Sequence, residues 1–232
     1  MKINPDTLHF FSQLLANNNR DWFNANKDRW NAILADFTNF TQALIDAMTP
    51  LDPGLKNLQA KQCIYRIYRD LRFTTDKRPY KTHIACFLYS GGDRTQCSPG
   101  YYLQVGFSDF DQQNGCSLGG GFFMPSAKQL AAIRQEIFYC TDEFKAIMAQ
   151  PSYKKYFGDQ FYTRKKLTRP PKGYPADWPD VDLLKWTDYT TMYTMPEKYI
   201  LTDQLFDQVL KVWKASLSLN LFLERAIDNF NE

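Results

Sequence analysis

The densest chemistry in this sequence lies between Lys61 and His83. Seven Lys or Arg and two Asp fall in that stretch, a local charge of +5 in a chain whose formal net charge is +3. The remaining residues therefore sum to −2, so the basicity is local. Cations set among tyrosines point to anion binding, because a guanidinium offers a planar fork of donors to carboxylate or phosphate and stacks its flat face on aromatic rings. Arg66, Arg69, Arg72, Lys77 and Lys81 are the candidate charges, and Tyr68 and Tyr80 the candidate stacking or hydrogen-bonding groups. Thr74 and Thr75 add hydroxyl donors. The ligand this pattern implies is a small molecule bearing phosphate or carboxylate, and no reaction is specified by it.

The same residues have other readings. Asp70 and Asp76 each suit the structural task of orienting an Arg or Lys through charge-assisted hydrogen bonds, and the arginines themselves suit a salt-bridged scaffold. His83 is the one group nearby whose ordinary pKa favours proton transfer at neutral pH, so an enzyme using His83 with Asp76 as acid and base is an alternative. Nucleic-acid binding is another, prompted by the basic and aromatic mixture and by Arg164-Lys165-Lys166, and opposed by the modest overall charge. A fourth is an interaction protein whose aromatic residues meet a partner chain. Oligomeric state is not legible.

Several motifs fail on inspection. Gly115-Cys116-Ser117-Leu118-Gly119 spells a hydrolase nucleophile elbow, but that motif needs a helix directly after the serine, and here Gly120, Gly121, Phe122 and Phe123 follow. The chain's two histidines, His9 and His83, also precede Ser117. Asp109, Asp111 and Asn114 resemble the start of a calcium loop, yet its glycine falls one place late and the twelfth position is Gly120. No metal site and no cofactor is expected, and phosphate-loop, dinucleotide and zincin signatures are absent. Cys63, Cys86, Cys97, Cys116 and Cys140 are odd in number and include no C-x-x-C pair, which predicts reduced thiols.

The elements that must hold the basic stretch follow from periodicity. Asn4-Pro5-Asp6 predicts a helix start, and Leu8, Phe11, Leu14 and Leu15 give it an apolar face. Trp22 through Met48 recurs at helical spacing, a second helix from Arg20 stopped by Pro50, Pro53 and Gly54. Arg20, Asp21, Asn26 and Lys27 read as a solvated face of it that could also reach a shared pocket. Alternation over 63–69 predicts a strand, followed by a polar loop at 74–79 and a strand from Thr82 to Ser90. Strands at 101–107 and 116–123 are joined through Asn114-Gly115, a hairpin turn signal. Gly119, Gly120 and Gly121 mark a bulge or a close backbone approach, and Gly120 is the expected ligand-facing amide. Ser126 opens a helix, Thr141 a shorter one, 151–180 an ordered loop, 180–185 a turn or two of helix, and 187–195 an extended run. A pair of helices spans Leu205 to Ile227. The expected class is α+β, a mainly antiparallel sheet with N-terminal and C-terminal helices packed on it. One domain over 1–232 is expected, with a helical part at 4–49, a sheet core at 62–123 and helices and loops at 126–232.

The run Arg66-Ile67-Tyr68-Arg69-Asp70-x-Arg72-Phe73-x-x-Asp76-Lys77-x-Pro79-Tyr80-Lys81-Thr82 resembles the hallmark of the family catalogued as domain of unknown function 2461. Asn18-Asn19-Arg20-Asp21-Trp22-Phe23 with Asn26-Lys27 resembles that family's opening. Gly119-Gly120-Gly121 with Pro125, Leu130-x-x-Ile133-Arg134, Pro171-Lys172-Gly173-Tyr174 and Asp182-Leu183-Leu184-Lys185 extend the likeness over most of the chain. The resemblance implies a fold and no mechanism. It also implies a histidine before Pro179, where this sequence has Trp178, so an activity resting on that histidine does not carry over. Hydrophobic content of 44% is ordinary for a globular protein. No apolar run approaches the ~20 residues of a membrane span and no leader pattern opens the chain, so a cytoplasmic protein is expected.

Overall fold

The structure, a computed structural model, describes residues 1–72, 75–90, 98–107, 114–163 and 165–231. Thr74, the loop Gly91-Gly92-Asp93, Cys97, the turn at 109–113 and Arg164 lie outside the described residues. In chain order the elements are α1 (Thr7–Ala16), α2 (Arg20–Ala25), α3 (Lys27–Met48), α4 (Ala60–Cys63), β1 (His83–Tyr89), β2 (Gly100–Phe107) and β3 (Asn114–Phe122). After these come α5 (Ala127–Tyr139), α6 (Thr141–Ala149), α7 (Pro151–Phe157), β4 (Tyr189–Thr190), β5 (Tyr193–Met195), α8 (Glu197–Ile200) and α9 (Leu205–Asn231). Short 3-10 turns stand at Pro53–Leu55 and Val181–Lys185. The strands make one antiparallel sheet in the order β1-β2-β3-β4, with β5 also paired to β3, so the expected α+β class is what folds. No helix among the described residues is long and apolar enough to cross a membrane.

The residues group into two compact units. The first comprises Met1–Leu88, Tyr102–Leu118 and Thr194–Leu210. Its aromatic centre sets Phe10, Phe11, Phe23 and Trp30 against one another, with Phe10 and Trp30 stacked at 6.0 Å. Asn4 takes the amide of Asp6 at 2.9 Å, so the expected cap forms a turn and α1 begins two residues later than predicted. The long helix expected from Arg20 is broken at Asn26, whose side chain donates to the Trp22 carbonyl at 2.9 Å and accepts from Arg29 at 2.8 Å. One side chain thus ends α2 and anchors the first turn of α3.

The second unit comprises Tyr89–Tyr101, Gly119–Tyr193 and Lys211–Glu232. Its core is Phe122, Ile133, Ile137, Phe144, Tyr153, Phe161, Tyr189 and Phe222 with their neighbours. Ser126 caps α5 as predicted, its hydroxyl accepting from the Gln129 amide while the Gln129 side chain accepts the Ser126 amide. Residues 151–157 form a helix where a loop was expected: Pro151 sits at its first turn, where its missing N–H is no loss, and Tyr153 is fully buried. The terminal helical pair is one uninterrupted helix, α9.

The glycine run has a packing role. A Cβ on Gly119 would lie 1.8 Å from the Thr191 carbonyl oxygen, and one on Gly120 would lie 2.4 Å from Ser216 Oγ. The Gly120 amide donates to Thr191 Oγ1 at 3.1 Å, and the Gly121 amide to Asn220 Oδ1 at 2.6 Å. The expectation that Gly120 presents its N–H to a ligand is therefore corrected: that N–H is buried and already bonded.

Candidate anion-binding site

The expected strand over 63–69 is instead a short helix, α4, followed by a segment that bends at Ile67 and is bridged at two points, Ile64 to Cys86 and Tyr68 to Tyr80. Gln59 and Gln62 form a capping box that winds residues 60–63 into a turn before pairing begins. Main-chain bonds from Tyr65 to Ala85, Lys81 to Ile67 and Arg69 to Pro79 then hold the segment against the approach to β1. The chain between Arg69 and Pro79 leaves this ladder as an excursion closed at its base by the Tyr68–Tyr80 bridge.

Two copies of one local device shape the excursion. In Asp70-Leu71-Arg72 the carboxylate accepts the Arg72 amide at 3.1 Å and its guanidinium at 2.7 and 3.0 Å. In Asp76-Lys77-Arg78 the carboxylate accepts the Arg78 amide at 3.0 Å and its guanidinium at 2.7 Å, and it also receives Arg69 Nη1. An Asp that folds back on the amide two residues on makes a tight turn, and the Arg at that position clips it shut. Each carboxyl is held well below the ordinary carboxylate range, Asp70 by its bonds from Arg72 and Asp76 by those from Arg78 and then Arg69.

The sign follows from linkage. A carboxyl whose folded pKa is depressed contributes stability that is full above its unfolded value near ~4 and is lost only as pH falls through the folded pKa below it. Carboxyl-carbon NMR of Asp70 and Asp76 should accordingly show no titration midpoint between about pH 4 and 8. A midpoint near the ordinary value of about 4 for either would show that its clip does not form in solution.

Beside the first clip lies an open hollow of about 610 Å³ lined by Arg66, Arg69, Asp70, Leu71 and Arg72. Its charges are unequally committed. Arg72 is clipped to Asp70, and Arg69, whose side chain is 17% exposed, gives one Nη1 bond to Asp76. Arg66 is exposed and makes no hydrogen bond or ion pair with any described residue. Three arginines and one aspartate thus line a shared space, leaving a positive excess there.

The other sequence candidates are placed variously. Lys77 is exposed and donates to the Leu71 carbonyl at 3.2 Å. Lys81 holds its ammonium 5.2 Å from the centre of the Tyr65 ring. Tyr80 is buried, stacked on Phe23 at 4.0 Å and 18°, so it is not an open stacking surface, while Tyr68 is 56% exposed. His83 is buried on β1 with Nδ1 3.2 Å from the Phe107 carbonyl oxygen. Asp76, held ionised by two arginines, is a poor proton acceptor at neutral pH.

Two residues matter more than their types suggested. Asn18 clamps Tyr80 through both main-chain groups, donating to its carbonyl at 2.9 Å and accepting its amide at 3.1 Å. Arg78, counted among the cations but not among the ligand-binding residues, closes the second clip. Asn18 could have been picked out by its place in the opening motif; the Asp-x-Arg spacing, present twice, announces Arg78.

Elsewhere, Trp178 packs edge-on to Phe138 at 4.9 Å, and Lys166 lies 4.3 Å from the Trp186 ring centre. Ser117 stands inside β3, without the strand-to-helix turn of a nucleophile elbow. Cys63, Cys86 and Cys116 are buried free thiols, and burial pushes the Cys116 pKa up to about 12.

The sheet, its helices and the clipped basic excursion define an α+β protein whose concentrated charge lies on one loop. This chain belongs to the family of conserved hypothetical proteins described as DUF2461, whose model matches residues 6–222. Neither the curated proteins nor the solved structures give a match.

Proposed function

We propose that the protein binds a small anion, phosphate- or carboxylate-bearing, in the hollow lined by Arg66, Arg69 and Arg72. The observation that carries this reading is Arg66, an exposed guanidinium that makes no hydrogen bond or close ion pair with a described residue and feels only the longer-range charge of Asp70, set beside two arginines fixed by aspartates. Fixed donors lose little freedom when an anion arrives, and the uncommitted one has its full set of N–H groups to offer. The volume supports the reading, being within the ~300–1,000 Å³ of small-molecule sites.

Arg66→Ala is the cleaner test, because Arg69→Ala also strips Asp76 of a partner. Calorimetric titration with inorganic phosphate and with citrate should show binding to the natural protein and a loss of about tenfold or more in Arg66→Ala, the scale of one charge-assisted bond. The melting temperature should stay nearly unchanged, since the side chain is exposed and makes no hydrogen bond or close ion pair with a described residue. Equal affinity in the two proteins, or no binding of either anion at millimolar concentration, removes the proposal.

A further inference from the structure

We infer that the anion this site takes carries a flat aromatic group, a phosphate ester of nucleotide type, and that Tyr68 is the surface on which that group stacks. This rests on the anion-binding reading above and narrows it.

The first support is where Tyr68 stands. Arg66 and Tyr68 are two residues apart, one on each side of a bend at Ile67. Arg66 and Tyr68 are exposed and Ile67 between them is 4% exposed. The guanidinium and the open ring thus both stand in solvent, on either side of one buried residue.

The second support is rigidity. An exposed tyrosine is ordinarily free to swing, but Tyr68 is backed by Tyr80 at 5.5 Å, Tyr80 is stacked on Phe23 at 4.0 Å, and Asn18 pins the Tyr80 main chain at both groups. The Tyr68 main chain is itself bridged to Tyr80. A ring anchored on one side and 56% exposed is pre-organised to accept a second ring at small entropic cost.

The third support is room. A hollow of about 610 Å³ is more than a lone phosphate fills and is in the range taken by whole small-molecule ligands. Arg66, Arg69 and Arg72 would hold the phosphate, and the remainder of the ligand would leave the open hollow past Arg66 to reach Tyr68, which stands outside the lining.

The experiment compares three probes at one salt concentration: inorganic phosphate, ribose 5-phosphate and adenosine monophosphate. The last two differ by the base alone. Stacking of a base on an aromatic side chain predicts that adenosine monophosphate binds about tenfold more tightly than ribose 5-phosphate. Tyr68→Ala should erase that difference and leave the affinity for ribose 5-phosphate and inorganic phosphate as it was, and Tyr68→Phe should retain it. Adenosine monophosphate binding no better than ribose 5-phosphate overturns the inference while leaving anion binding intact. Preference for the base persisting in Tyr68→Ala removes Tyr68 from the role and overturns it too. Failure of all three probes takes down the underlying anion reading, and this one with it.

Discussion

Gly119→Ala is expected to destabilise the protein by more than about 3 kcal/mol, enough to cost most of the stability of a typical domain. The added Cβ would lie 1.8 Å from the carbonyl oxygen of Thr191, 2.8 Å from its carbonyl carbon and 3.2 Å from Met192 Cα. All three are backbone atoms, so no rotamer change relieves the collision. Retreat of the Thr191 segment would break its amide bond to the Gly120 carbonyl at 2.8 Å and the bond that its hydroxyl accepts from the Gly120 amide. Gly120 differs in kind, because its obstruction is the Ser216 side chain, Oγ at 2.4 Å and Cβ at 2.8 Å. Gly120→Ala should therefore recover part of its loss when combined with Ser216→Gly, whereas Gly119→Ala should recover nothing. Gly115, on the same strand with nothing within 4 Å of an added Cβ, is the control and should tolerate alanine within about 1 kcal/mol. Denaturant midpoints at constant slope measure each variant against the natural protein. A Gly119→Ala protein as stable as Gly115→Ala would mean that β3 and the Thr191 segment do not approach as described.

How much of this was readable beforehand depended on whether the signal was local. Strands β1, β2 and β3 and the helix start at Ser126 were legible because short apolar runs between turn signals, and a capping serine, are written within a few residues. Gly119 to Gly121 announced a close approach, yet a run of glycines cannot say what approaches it, since the partners Thr191, Ser216 and Asn220 lie far along the chain. The same distance explains why α9 was read as two helices. Ser216 and Asn220, polar on a helix otherwise apolar on its inner side, are both fully buried, one turn apart and turned to the glycine strand. In the basic stretch the charges and the Asp-x-Arg spacing were visible, and the shared hollow was not. Which guanidinium is clipped, shared or free depends on the turn each aspartate makes, and charge composition is silent on that. Tyr68 and Tyr80 looked equivalent in sequence; the stack of Phe23 on Tyr80 separates them into a buried ring and an open one.

Asn220 is the position where a polar side chain does what the backbone around it cannot do alone, and its replacement should be costly in a way that depends on pH. It is fully buried on α9, its Oδ1 accepting the Gly121 amide at 2.6 Å and its Nδ2 donating to the Gly100 carbonyl at 3.1 Å. Asn220→Ala leaves both main-chain groups without their partner inside the protein, and at roughly 1–3 kcal/mol for each unsatisfied group the expected loss is about 2–5 kcal/mol. Asn220→Asp keeps the acceptor for Gly121 and loses the donor for Gly100, setting a carboxylate against a carbonyl oxygen in a buried site. Burial and that opposed oxygen both favour the protonated acid, which restores a donor, so the folded pKa of the new Asp lies above its unfolded value of about 3.9. A raised folded pKa contributes stability that is fully present below the unfolded value and is lost as pH rises. The Asn220→Asp protein should thus approach the natural one near pH 4 and fall progressively behind it toward pH 7, with Asn220→Ala showing no such slope relative to the natural protein. Parallel stability profiles for all three proteins across that interval would show that Asn220 does not bridge Gly100 and Gly121, and the bond pattern assigned to the glycine strand would have to be redrawn.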